Sequence, residues 1–153
     1  MSKPARLLAI LFAAALGMSA PPLHADAPTP TPASSAARWP ASDALRHAMT
    51  DIARMLRAVG HDLRTNTRSE AQYDALGDWL DKRIAGVSVA DTSAAVPAQK
   101  ALTLILGEMR DSADLMRNAS HLPARHLGYL MAVRTANNYA KEFDHPGWEM
   151  LAD

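Results

Sequence analysis

Residues 97–116 read PAQKALTLILGEMRDSADLM, and this stretch decides the fold class. Ala98, Leu102, Ile105, Met109, Ser112 and Met116 step by 4, 3, 4, 3 and 4 residues. That spacing lines one face of a helix, because residues three and four apart lie one above the other. Pro97 stands where a helix opens, in the first turn that tolerates proline. The pattern ends near Asn118 to His121.

The same signature recurs on either side. Upstream, Leu45, Met49, Ile52, Leu56 and Val59 form one stripe after Ser42 or Asp43, a good N-cap. Gly60 is a candidate end, although Leu63 continues the stripe. Next, Thr67-Arg68-Ser69-Glu70 has the pattern of a capping box. Tyr73, Leu76, Leu80, Ile84 and Val87 follow as its stripe, with Gly86 as a candidate stop. Residues 87–94 read as a loop, since Val87-Ser88-Val89 has strand character but is too short for a sheet. Downstream, a helix opening near Pro123 carries Tyr129, Val133, Ala136, Ala140 and Phe143, flanked by Leu130. Asp144-His145-Pro146-Gly147 ends it, because proline disfavours helix at the residue before it. Gly77, Gly107 and Gly128 lie inside helical patterns at about 1 kcal/mol each relative to alanine, which points to close helix–helix approaches. Four helices of similar length with short connections predict an all-α, antiparallel up-down-up-down four-helix bundle over residues 39–153.

The N-terminus reads differently. Lys3 and Arg6 precede an unbroken apolar run of 12 residues, Leu7 to Met18. A bilayer span needs about 20 residues, so the run fits the core of a signal peptide, with cleavage after Ala25. The mature protein then has no stable membrane anchor, and no cysteine follows the run to carry a lipid. Residues 26–38 form a linker in which Pro28, Pro30 and Pro32 alternate with small residues, leaving nothing to bury. Seven of the ten prolines precede residue 41, which leaves the rest of the chain free for helix.

Composition narrows function. The 153 residues carry 16 basic and 16 acidic side chains; loss of Lys3 and Arg6 leaves 14 − 16 = −2. That balance argues against nucleic-acid binding, which asks for a basic face. With no cysteine, disulfide frameworks, thiolate zinc sites and cysteine nucleophiles are excluded. Of the residues, 48% are apolar but only 5% aromatic, which suits helices. A mature chain of about 128 residues can bury roughly two-thirds of its unfolded surface, enough for one core.

In an up-down-up-down bundle the start of the first helix lies beside the end of the fourth. His47, Met49, Glu142 and His145 then share one end with Trp39 and Trp148, and His61, His121 and His126 share the other. Imidazole with thioether suits copper or the axial positions of haem iron, and a His/Glu set suits zinc. Against this, Met49 lies on the core stripe, His47 faces the opposite side from Leu45 and Met49, and His145 sits in a helix-ending turn. His126 reads as a hydrogen-bonded core histidine beside Leu130 and Val133. Glu142-Phe143-Asp144-His145 is a Glu-x-x-His spacing, but a di-iron bundle needs two such motifs, and only four glutamates exist. No catalytic motif is present. Asp78 with Asp81, and Asp111 with Asp114, read as solvated charge patterns beside Lys82, Arg83 and Arg110.

Two stretches carry a resemblance. RWPASDALRHAM (residues 38–49) and YAKEFDHPGW (residues 139–148) resemble a family of exported proteobacterial proteins termed DnrO-like, over residues 38–151. The family name implies an association with denitrification. Members often carry a cysteine between the second and third helices, where Val87 to Ala95 has none. Size and architecture are also similar to the cytochrome b562 class, whose haem b sits between a methionine and a histidine. That likeness implies Met49 and His145 as cofactor ligands, although His145 precedes a proline rather than lying within a helix. Two functions are therefore expected: a non-catalytic periplasmic module acting through contacts with a protein partner, as an accessory or stress factor, and a bundle binding haem b, copper or zinc through His47, Met49, Glu142 and His145.

Overall fold

The computed structural model describes residues 38–65, 68–92 and 95–152. The signal peptide, nearly all of the linker and Thr67 lie outside the described residues. The order is β1 (Trp39–Pro40), α1 (Asp43–Thr65), α2 (Glu70–Ala85), a 3-10 turn (Val89–Asp91), α3 (Val96–Asn118), α4 (Leu122–Glu142) and β2 (Phe143–Asp144). It is an all-α four-helix bundle.

The stripes become the core. Leu45, Met49, Ile52, Leu56, Val59, Leu80, Ile84, Leu102, Met109, Met116 and Val133 are all buried. β1 and β2 pair in parallel, Trp39 beside Phe143, so the start of α1 does lie at the end of α4. The α2–α3 connection closes the same end: Ala41 bridges Thr92, and Ser42 N donates to Asp91 O at 2.9 Å. Phe143 thus leaves the helix for β2 while staying fully buried.

Three local readings change. α1 runs through Gly60 to Thr65, because Gly60 faces Tyr129. A Cβ there would stand 2.5 Å from the Tyr129 hydroxyl, which donates to Leu56 O at 3.2 Å. The cap of α2 is Ser69 rather than Thr67: Ser69 N donates to Gln72 Oε1 at 2.8 Å, a box shifted by two residues. The 87–94 loop holds a turn of 3-10 helix, with Ser88 N donating to Asp91 Oδ2 at 2.9 Å.

Glycine sets the helix spacing. A Cβ on Gly77 of α2 would meet Ala113 O at 2.6 Å, and one on Gly128 of α4 would meet Ser112 O at 2.9 Å. Both glycines draw their helices onto α3 at almost the same level. Gly107 has no such neighbour within 4 Å. Arg125 reinforces this end: buried, it donates to Met116 O at 2.7 Å near the end of α3 and pairs with Asp74 of α2.

Candidate functional site

His145 is placed by turn chemistry. Trp148 N donates to His145 O at 3.1 Å, with Pro146 and Gly147 between them. Gly147 has φ +80°, the left-handed conformation a type II turn needs at its third residue. The turn folds residues 145–151 back over α1 and α4. Asn137 clasps the returning chain twice: its Nδ2 donates to Leu151 O, and Leu151 N donates to its Oδ1, both at 2.9 Å. Arg57 adds a hydrogen bond to Glu149 O at 3.3 Å.

The clasp wraps the His145 ring in aromatic groups. The ring lies 5.7 Å from Tyr139 and 5.1 Å from Trp148, edge-on to both, and Tyr139 stacks on Phe143 at 5.3 Å. Both ring nitrogens are engaged: Nε2 with Thr50 Oγ1 at 3.2 Å and Nδ1 with Tyr139 OH at 3.1 Å. Burial pushes the Tyr139 phenol well above its ordinary pKa, so it stays protonated and can serve either as donor or acceptor.

Desolvation lowers the His145 pKa from its usual 6.5; the nearby Arg46 lowers it further, and Asp144 opposes. The folded state therefore favours the neutral ring. That preference is fully present above about pH 6.5 and is lost as pH falls through the folded value. The urea midpoint is expected to drop between pH 7.5 and 5, and His145→Gln, which keeps hydrogen-bonding capacity without titrating, is expected to flatten that drop. An unchanged slope in the variant would assign the acid sensitivity to other groups.

The expected ligands do not form a set. Met49 is enclosed in the core at 0% exposure, whereas His47 and Glu142 are exposed. Among the described residues no three His, Asp or Glu side chains stand together as a metal site. As folded, both His145 nitrogens are engaged by the Thr50 and Tyr139 hydroxyl groups. A cleft of about 140 Å³ beside His145 is lined by Thr50, Arg54, Arg57, Trp148 and Glu149.

At the other end His126 is hydrogen-bonded, as its place on the stripe indicated: Nδ1 meets Tyr73 OH at 3.1 Å, and the ring stacks on Tyr129. Asp78 and Asp81 pair across the helices with Arg117, at 3.5 and 3.2 Å, rather than with Lys82 or Arg83. Arg83 instead reaches Asp51 of α1.

The sequence reading missed the outer face of α3 and α4. Leu104 is 64% exposed and Leu127 51%. Leu127, Met131, Arg134, Asn138 and Lys141 step by 4, 3, 4 and 3 along α4, a second stripe turned away from the core. Two grooves lie along it: one of about 200 Å³ lined by Leu127, Leu130, Met131 and Arg134, and one of about 400 Å³ lined by Leu104, Ile105, Glu108, Asn138 and Lys141 among others. Arg134, Lys141, Glu108 and Glu142 take part in none of the ion pairs among the described residues; those pairs join charges of α1 and α2, Arg68, Asp114, Arg117, Arg125 and Glu149. Leucines left over after the core stripe was assigned were the available signal. No described helix is long and apolar enough to cross a membrane.

Comparison of the chain with family models, curated proteins and solved structures gave no match.

Proposed function

We propose that this bundle is a non-catalytic periplasmic module that works through protein contacts, with the outer face of α3 and α4 as its contact surface. The observation that carries this reading is the exposure of Leu104 and Leu127 beside grooves rimmed by charges without intramolecular ion pairs. Exposed apolar surface with a polar rim is a usual mark of an interaction site, and here it is offered by two grooves along one face. The signal-like segment from Lys3 to Ala25 supports work in the periplasm, and the DnrO-like resemblance supports an accessory role linked to denitrification or stress. A haem b, copper or zinc role asks more of the fold. His145 would have to release Tyr139 or Thr50, and Met49 would have to leave the core.

A photo-crosslinking residue placed at 104 or 127 in cells is expected to trap the same protein from either position. A crosslinker at Asp43, on the exposed start of α1, is expected to trap nothing specific. Equal labelling from all three positions, or no adduct at 104 and 127, would sink the proposal.

A further inference from the structure

A groove of about 270 Å³ runs between α1 and α2, lined by Met55, Val59, Gln72, Ala75, Leu76 and Trp79, with Arg68 also on its wall. Its origin is in the sequence. Gly77 and Gly128 bring α2 and α4 backbone-close to α3, and Gly60 does the same for α1 against the Tyr129 side chain of α4. No glycine contact of this kind joins α1 to α2 among the described residues. Met55 of α1 and Trp79 of α2, both only partly buried, line the groove from its two sides. Between the helices lies an apolar trough with an aromatic wall.

Arg68 supplies the polar contact. It belongs to the connection just before α2, and its side chain is only 15% exposed, low for an arginine. Asp62 holds one terminal nitrogen at 2.7 Å. The Nε is buried and has no acceptor among the described residues. A buried guanidinium nitrogen without a partner is costly, and a carboxylate is the group that matches it best. A mainly apolar cavity with one placed polar group is the general form of a small-molecule site.

We infer that the α1/α2 groove binds a small amphipathic carboxylate: an apolar chain along Met55, Val59, Leu76 and Trp79, and an acidic head group accepting from Arg68. Asp62 takes one terminal nitrogen, which leaves the other guanidinium donors of Arg68 for the head group. This site lies on different helices from the α3/α4 face and stands independently of it.

The probe is decanoate, titrated into the full mature protein below its micelle concentration. Trp79 lines the groove, so its emission reports binding, and Trp79→Phe shows which part of the signal it contributes. Saturable quenching by decanoate is expected, with decyltrimethylammonium, the same chain with a cationic head, binding at least about tenfold more weakly. Arg68→Gln is expected to weaken decanoate by about tenfold and to leave the cationic probe unchanged. Ala75→Trp, which fills the groove from an exposed helical position and keeps Arg68, is expected to abolish binding of both; circular dichroism confirms that each variant is folded. Lack of saturation, equal affinity for the two head groups, or decanoate binding untouched by Ala75→Trp would overturn the inference. Binding to phosphatidylglycerol vesicles without binding of monomeric decanoate would overturn it as well, in favour of a membrane surface.

Discussion

Tyr139→Ala is expected to lower the unfolding free energy by about 3–5 kcal/mol, the usual cost of removing a buried aromatic ring. That is a large share of the roughly 5–15 kcal/mol available to a domain. Tyr139 is fully buried and sits at the centre of the terminal cluster, in ring contact with Phe143, His145 and Trp148. Its removal undercuts the returning C-terminal segment and takes a partner from His145. Tyr139→Phe keeps the ring and deletes only the hydroxyl, so about 1 kcal/mol is expected there. Urea unfolding of both variants measures the difference, with an unchanged slope confirming that the same surface is exposed. If the alanine variant costs no more than the phenylalanine variant, ring packing is not what holds this end together.

The contrast between these variants shows how the ends of the molecule were readable only in part. Phe143 and Tyr139 stand out in the sequence, and the closing Phe-Asp-His-Pro-Gly-Trp announces a turn through Pro146 and Gly147. The partner of His145 does not. Thr50 is 95 residues away, and its hydroxyl meets Nε2 only because β1 and β2 align the start of α1 with the end of α4. Spacing could place His145, His47 and Glu142 at one end. It could not show that hydroxyl groups take both imidazole nitrogens.

The four core stripes were legible because each repeats a strong helical period over at least four turns. Local punctuation was less secure. Gly60 looked like a stop because glycine often ends helices, but the residue that explains it, Tyr129, lies on α4. Ser69 and Thr67 both offer a cap pattern, since Gln72 follows the first at the same interval as Glu70 follows the second. Leu104 and Leu127 escaped for a different reason: counting matches to a core stripe says nothing about the apolar residues that fall outside it. Arg125 escaped because its partners, Asp74 and Met116 O, are supplied by two other helices.

Glycine gives the sharpest separation between a local cost and a tertiary gain. Intrinsic propensity alone says that alanine at Gly77 and at Gly107 should stabilise by about 1 kcal/mol each. The structure predicts opposite signs. At Gly107 a Cβ meets nothing within 4 Å, so Gly107→Ala should realise that full gain. At Gly77 the Cβ would stand 2.6 Å from Ala113 O and 2.8 Å from Arg117 Cγ. The arginine can swing aside, but the carbonyl belongs to the backbone of α3 and cannot. The two helices must separate, and overpacking of this kind costs about 1–3 kcal/mol or more. Because the clash is with main chain, the upper part of that range applies, and after the propensity gain Gly77→Ala should lose about 2 kcal/mol net. Separation of α2 from α3 also disturbs the pairing of Arg117 with Asp78 and Asp81, which spans the same interface. Thermal unfolding of the two single variants decides the matter: a lower melting temperature for Gly77→Ala beside a higher one for Gly107→Ala assigns Gly77 to helix contact. Stabilisation by both would mean that α2 and α3 are free to adjust, and that glycine there does not set their spacing.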